Sequence, residues 1–199
     1  MTKAFYQAAI AAFDSANAED PNTEIFEGKS YPKELLYAQR MSQMQQRFAP
    51  EASEAVKLAV RAQHIQRWKI PRSDYPMGKP GYMRWRNTLY KFHAEIAGNI
   101  MQVVGYDNEM IVRVKSIVSK KELKSNSETQ MVEDVVNLVF LEHYLLGFVA
   151  QHTEYEYEKW INIIKKTWGK MSSHAREFAL SSMIKLPKAL IPLIMKAVQ

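Results

Sequence analysis

Apolar residues recur every three or four positions along almost the whole chain, and that spacing admits little besides packed α-helices. Ala9, Ala12 and Phe13 form one such stripe with Phe5 over residues 3–16, and Leu36, Met41, Met44 and Phe48 form another over 33–48. Pro50 and Ser53 open a third helix, in which Ala55, Leu58, Ala59 and Ala62 keep helical register up to Trp68. A long helix over 81–104 ends at Gly105, and Gly98 inside it leaves room for a close neighbour. A shorter helix follows over 107–121, then a strongly apolar one over 128–151, and two or three more fill 155–198. No stretch alternates convincingly in the manner of a strand. The prediction is an all-α, single-domain bundle of about eight helices over 1–199, with a core over 33–150 and C-terminal helices at 155–198 packed on it.

With 199 residues the chain is long enough for an ordinary core, and with no cysteine it has neither a disulfide framework nor a thiolate nucleophile. Its apolar runs are too short or too interrupted to span a bilayer, and the first residues lack a cleavable export signal, so a soluble cytoplasmic protein without membrane contact is expected.

The net charge of +6 is concentrated. Between Arg67 and Lys91 stand seven cations and one carboxylate, Asp74, in a segment whose start is broken by Pro71, Pro76 and Pro80. Such an excess attracts anions, either a phosphorylated small molecule or a nucleic acid backbone. Arg67, Arg72, Lys79, Arg84 and Arg86 are the candidate phosphate ligands, since guanidinium forks match phosphate geometry. Trp68 and Tyr75 lie among them and suit stacking on a base. His64, at the end of the third helix, and His93, mid-way along the long one, join Asp134 and Glu142, which lie eight residues apart and within about 80° of each other on one helix. Imidazoles and carboxylates converging from separate helices make a metal or acid–base site.

A family resemblance sharpens this. Phe92-His93-Ala94-Glu95-Ile96-Ala97-Gly98, then Val103-Val104-Gly105-Tyr106-Asp107 and the Ile/Val helix after it, resemble the middle of an HD-domain phosphohydrolase. Gln63-His64-Ile65 falls where that superfamily has its His-Asp pair, and Val132-Glu133-Asp134-Val135 resembles the helix that supplies its last metal-binding Asp. Glu34 stands near the position of the first ligand His, and Lys120 or Lys121 stands where many members place another. The His-Asp dipeptide itself is absent in either register. The resemblance implies a divalent metal (Mn, Mg, Fe or Zn) held by Glu34, His64 and Asp134, with His93 or Glu142 moving the proton of a phosphate-ester hydrolysis. The chain is more closely similar to domain-of-unknown-function family 4202, through PKELLYAQRM at 32–41, AQHIQRWKIPRSDYPMGKPGYMRWR at 62–86, KFHAEIAG at 91–98 and LVFLEHY at 138–144.

Two functional readings follow. One is a variant HD-like protein binding a phosphorylated, nucleotide-like ligand, with metal-dependent hydrolysis. The other is a non-catalytic adaptor that docks RNA or an anionic protein on the 67–91 segment. The apolar positions Leu180, Met183, Leu186, Leu190, Leu193, Ile194 and Met195 would close the core or form a homodimer surface. His64-Ile65 and Lys170-Met171-Ser172-Ser173 echo aminoacyl-tRNA synthetase signatures, but those motifs act from a Rossmann sheet, and no parallel strands are predicted.

Overall fold

Asp20 shows how the chain directs itself into a bundle. Its carboxylate accepts from the backbone N–H groups of Asn22 and Glu34, at 2.9 and 3.0 Å, and so caps the start of a helix fourteen residues downstream. The computed structural model describes residues 2–123 and 125–199. Its helices are α1 (Thr2–Ala18), α2 (Lys33–Phe48), α3 (Glu54–Arg61), α4 (Gly78–Val104), α5 (Asn108–Val118), α6 (Ser127–Val139), α7 (Leu145–Gln151), α8 (Tyr157–Trp168), α9 (Ser173–Ala179) and α10 (Ile191–Val198). The described residues are therefore mostly helical, as the periodicity requires, with ten α-helices where about eight are predicted.

Helix ends follow the sequence signals. Ser53 and Asp107 accept from Val56 and Met110 N–H at the starts of α3 and α5, and Asn126 does the same for α6. Gly105 adopts φ +104° and lets the Tyr106 N–H reach the Met101 carbonyl at 3.0 Å, a closure a side chain would strain. At Gly98 an added Cβ would meet the Lys115 side chain at 2.7 Å, so the small residue permits the close packing of α4 on α5.

Three expectations change. A two-stranded antiparallel hairpin, β1 (Thr23–Phe26) and β2 (Lys29–Pro32), occupies part of the predicted loop. Glu27 and Gly28 turn it, both at positive φ, as a two-residue hairpin loop demands. None of its strand residues is buried, so no alternating apolar pattern announced them; Arg40 of α2 holds the hairpin down by pairing with Glu24 and lying over the Phe26 ring. Next, α3 stops at Arg61, and His64 lies on a tight turn beyond it rather than on the helix. Finally, the helix expected over 128–151 is interrupted by a π-helical segment, Phe140–Tyr144, between α6 and α7. Such bulges rotate the following side chains and gather at functional sites.

The buried apolar residues form one cluster. Phe13, Met44, Leu58, Ile65, Met101, Ile117 and Leu138 are fully enclosed within it. Leu190, Leu193 and Ile194 join it, whereas Leu180, Met183 and Met195 of the same predicted set stay exposed. Among the described residues no helix is long and apolar enough to cross a membrane.

Candidate functional site

Four side chains from three parts of the chain stand in file. Asn17 of α1 accepts from the Gln66 N–H at 2.9 Å and steadies Gln66 in a left-handed conformation, φ 52° and ψ 34°. That strained turn swings His64 and Arg67 inward, and strain of this kind is kept where the surroundings fix it. The His64 ring stacks on Tyr37 at 4.1 Å and 11°. Arg67 Nη1 lies 3.1 and 3.2 Å from the two ring nitrogens of His64, and its Cζ sits 5.0 Å from the centre of the Trp85 ring. Trp85 in turn donates its indole N–H to the Ile70 carbonyl at 2.9 Å. Tyr37, His64, Arg67 and Trp85 thus form a continuous column. Glu34, in the first turn of α2 and one turn before Tyr37, brings Oε2 to 3.5 Å from His64 Nδ1.

Burial sets the protonation states. It pushes the Glu34 carboxyl up to about 7, against the pull of Arg67 and with a contribution from Asp20. It holds His64 well below the usual imidazole range, and the charges of Arg67, Lys120, Arg86 and Lys33 press in the same direction. His93 is lowered to about 3 by burial and by His64. Its Nδ1–H donates to the Ile65 carbonyl at 2.8 Å, so Nε2 carries the lone pair, and it has no partner. Both histidines are therefore neutral at physiological pH.

The column opens on a cleft of about 420 Å³ lined by Pro21, Asn22, Lys33, Glu34, Arg67, Trp68, Ile70, Pro71, Arg72 and Trp85. Its walls are apolar and aromatic, and its charged groups are three cations and one carboxyl that is half-protonated near neutrality. A second groove of about 410 Å³, between α2 and α9, is lined by Phe48, His174, Phe178, Met183 and Arg47. It is poorer for an anion, because Arg47 is engaged by Glu142 and by the Met183 carbonyl.

The predicted site residues divide. Glu34, His64, Arg67, Trp68 and Arg72 line or adjoin the cleft, and His93 lies behind it, its ring 5.9 Å from that of His64. Arg72 is partly committed, donating to the Tyr75 and Pro76 carbonyls at 2.8 and 2.9 Å, and Tyr75 contributes a backbone acceptor there. Lys79 and Arg84 are exposed and do not line the cleft. Arg86 lies over Tyr82 and Tyr90. Glu142 is held by both oxygens to Arg47 and also accepts from the Lys185 N–H.

Asp134 is the main correction. Its carboxylate accepts from the Ser172 N–H and hydroxyl at 2.8 and 2.6 Å and from Gln130, so it anchors the start of α9. The carboxylate that α6 sends toward this region is the adjacent Glu133, paired with Lys120 at 2.5 Å. One helical residue is about 100° of rotation, which is why the neighbour faces elsewhere.

A family model, Domain of unknown function (DUF4202), matches residues 7–194. The chain belongs to the DUF4202 family. No curated protein and no solved structure matches it. In this DUF4202 member the sequence reasoning missed Tyr37, Tyr90 and Glu133. Tyr37 was within reach, since it shares a helix face with Glu34 at i+3. The expected metal ligands do not fit an ion as a set. Asp134 is spent on Ser172, and no group of three His, Asp or Glu side chains among the described residues is arranged to hold one.

Proposed function

We propose that this DUF4202 protein binds a phosphorylated, nucleotide-like ligand in the cleft beside Arg67, on a divergent version of the HD-domain fold. The observation that carries the reading is Arg67. Its guanidinium is held between His64 and Trp85 on the cleft wall, yet among the described residues no carboxylate lies within 4 Å of it. A pre-positioned, unpaired guanidinium with Lys33 and Arg72 beside it is complementary to phosphate. Trp68, half-buried in the wall, offers a surface for a base or sugar, because Trp85 is already covered. The HD-like part of the reading is supported by order along the chain: Glu34 and Tyr37 of α2 meet His64 and Arg67 of the turn that follows α3.

Glu34 gives the site a group that exchanges a proton near neutrality. In hydrolysis of a bound phosphate ester, a water oxygen bonds to phosphorus while the ester P–O bond breaks. The water proton passes to Glu34, and the departing alkoxide takes one back, with Arg67 neutralising the phosphoryl oxygens.

The test is calorimetric titration of nucleoside monophosphates at low salt. A charge-assisted pair contributes about 1.5–3 kcal/mol, so Arg67→Gln should weaken binding by roughly 10- to 100-fold, and Lys33→Gln less. Absence of binding at millimolar nucleotide, or an R67Q protein that binds as tightly as the parent, overturns the proposal.

A second reading has its own observation. Lys79, Arg84 and Lys91 are exposed along the N-terminal half of α4 with no carboxylate within 4 Å among the described residues. They suit a nucleic acid backbone or an anionic protein. Such binding would fall steeply with salt, and Arg84→Ala would weaken it for every sequence alike.

A further inference from the structure

Arg86, Tyr90 and His93 lie at i, i+4 and i+7 of α4 and so share one helix face. Its inner end is fixed by His93, which bonds the Ile65 carbonyl beside His64. One turn outward, the Tyr90 ring carries two cations. Arg86 Cζ lies 5.3 Å and Lys120 Nζ 5.5 Å from its centre, and Arg86 also donates to the Tyr90 hydroxyl. Lys120 enters from the turn after α5 in a left-handed conformation, φ 57°, and pairs with the buried Glu133 of α6. Arg86 has no carboxylate within 4 Å among the described residues.

Two like charges on one phenol ring repel, and a single carboxylate offsets only one of them. His93, on the same face of α4 as Arg86 and Tyr90, brings its ring 5.9 Å from that of His64, which Arg67 covers, so two adjoining imidazoles connect the Tyr90 cluster to the Arg67 side of the cleft. Around the Tyr90 ring two cations face one carboxylate, Glu133, which leaves a positive charge unmatched. A monoester phosphate, with about two negative charges, satisfies the Arg67 end alone.

We propose that Arg86, Lys120 and Tyr90 form a second phosphate subsite, so that the ligand of the Arg67 cleft carries two phosphoryl groups. This rests on the phosphate-binding reading above. Arg86 supplies a guanidinium fork, the Tyr90 hydroxyl a further donor, and Lys120 a point charge that Glu133 holds in place.

The experiment compares inorganic phosphate, pyrophosphate, tripolyphosphate and malonate by calorimetry at fixed low ionic strength, on the parent, Arg86→Gln and the double variant Lys120→Met/Glu133→Gln. The double variant removes both members of the buried pair and leaves no orphan charge. The parent should bind a compound with two or more phosphoryl groups at least tenfold tighter than phosphate, and in both variants that ratio should fall toward one. Circular dichroism and thermal melts verify that each variant is folded. Equal affinity for phosphate and the longer compounds, or a ratio unchanged by R86Q, overturns the second subsite and leaves the single-phosphate reading intact. Malonate binding as tightly as pyrophosphate overturns the phosphoryl assignment in favour of charge alone. Failure of every phosphate compound to bind overturns both proposals.

Discussion

Replacing Glu34 by glutamine should stabilise the folded chain above neutral pH and leave it little changed in mild acid. Burial raises this carboxyl from its ordinary 4.5 to about 7. Between those values the unfolded chain has released the proton while the folded chain retains it. Stability is therefore fully present below about 4.5 and declines as pH rises through about 7. At roughly 1.36 kcal/mol for each pH unit between those two values, the cost comes to roughly 3 kcal/mol at pH 8. Glu34 is only 8% exposed, so solvent screening takes little of this away. Glutamine keeps the shape and cannot ionise, so E34Q escapes the cost. For a chain of this length the gain corresponds to a rise of about 6–12 °C in midpoint temperature. Urea unfolding of both proteins at half-unit steps from pH 4.5 to 8.5 measures it. His64 and His93 lower stability below about 6.5 in both proteins and largely cancel in the difference. A difference that stays flat with pH, or an E34Q protein less stable than the parent at pH 8, would refute the burial argument.

Other substitutions separate structure from binding. Asp134→Ala strands the Ser172 N–H and hydroxyl, and should cost about 1–3 kcal/mol in chemical unfolding while nucleotide affinity changes less than twofold. A carboxylate at the centre of the binding site would show the opposite pattern. Gly81→Ala would put a methyl 1.9 Å from the Pro76 carbonyl oxygen, so the 71–77 loop must move. The expected cost is about 1–3 kcal/mol, together with weaker nucleotide binding in titration, because Arg72 is anchored to that same carbonyl.

The fold was readable wherever a helix has one apolar face and an explicit end. Ala55, Leu58 and Ala59 are fully buried, and Ser53 and Gly105 sit at helix boundaries, as the sequence suggests. The hairpin was not readable. Ile25 is 77% exposed, and what stabilises the strands is Arg40, sixteen residues away from its partner Glu24. The π-helical segment was hidden for a related reason. Phe140–Tyr144 continues the apolar pattern, and the register shift becomes visible only in where Tyr144 lands, its hydroxyl accepting from Arg40 at 2.9 Å.

The site shows the limit more sharply. Residue types pointed to groups that lie near one another, since Arg67 sits over Trp85 and Glu34 lies 3.5 Å from His64. Rotation about a helix decided the rest. Asp134 and Glu133 are adjacent in sequence and differ in outcome because α6 is covered on one side by Ser172 and on the other by Lys120. Hydropathy cannot rank two neighbouring acids on a helix that is buried nearly all round. The position of Lys120 can, because a lysine on a left-handed turn with only 11% of its side chain exposed requires a carboxylate opposite, and α6 is the helix α5 leads into. Pairing that buried cation selects Glu133. The selection releases Asp134 to anchor α9, and it carries positive charge to the Tyr90 ring, next to the face on which His93 meets His64.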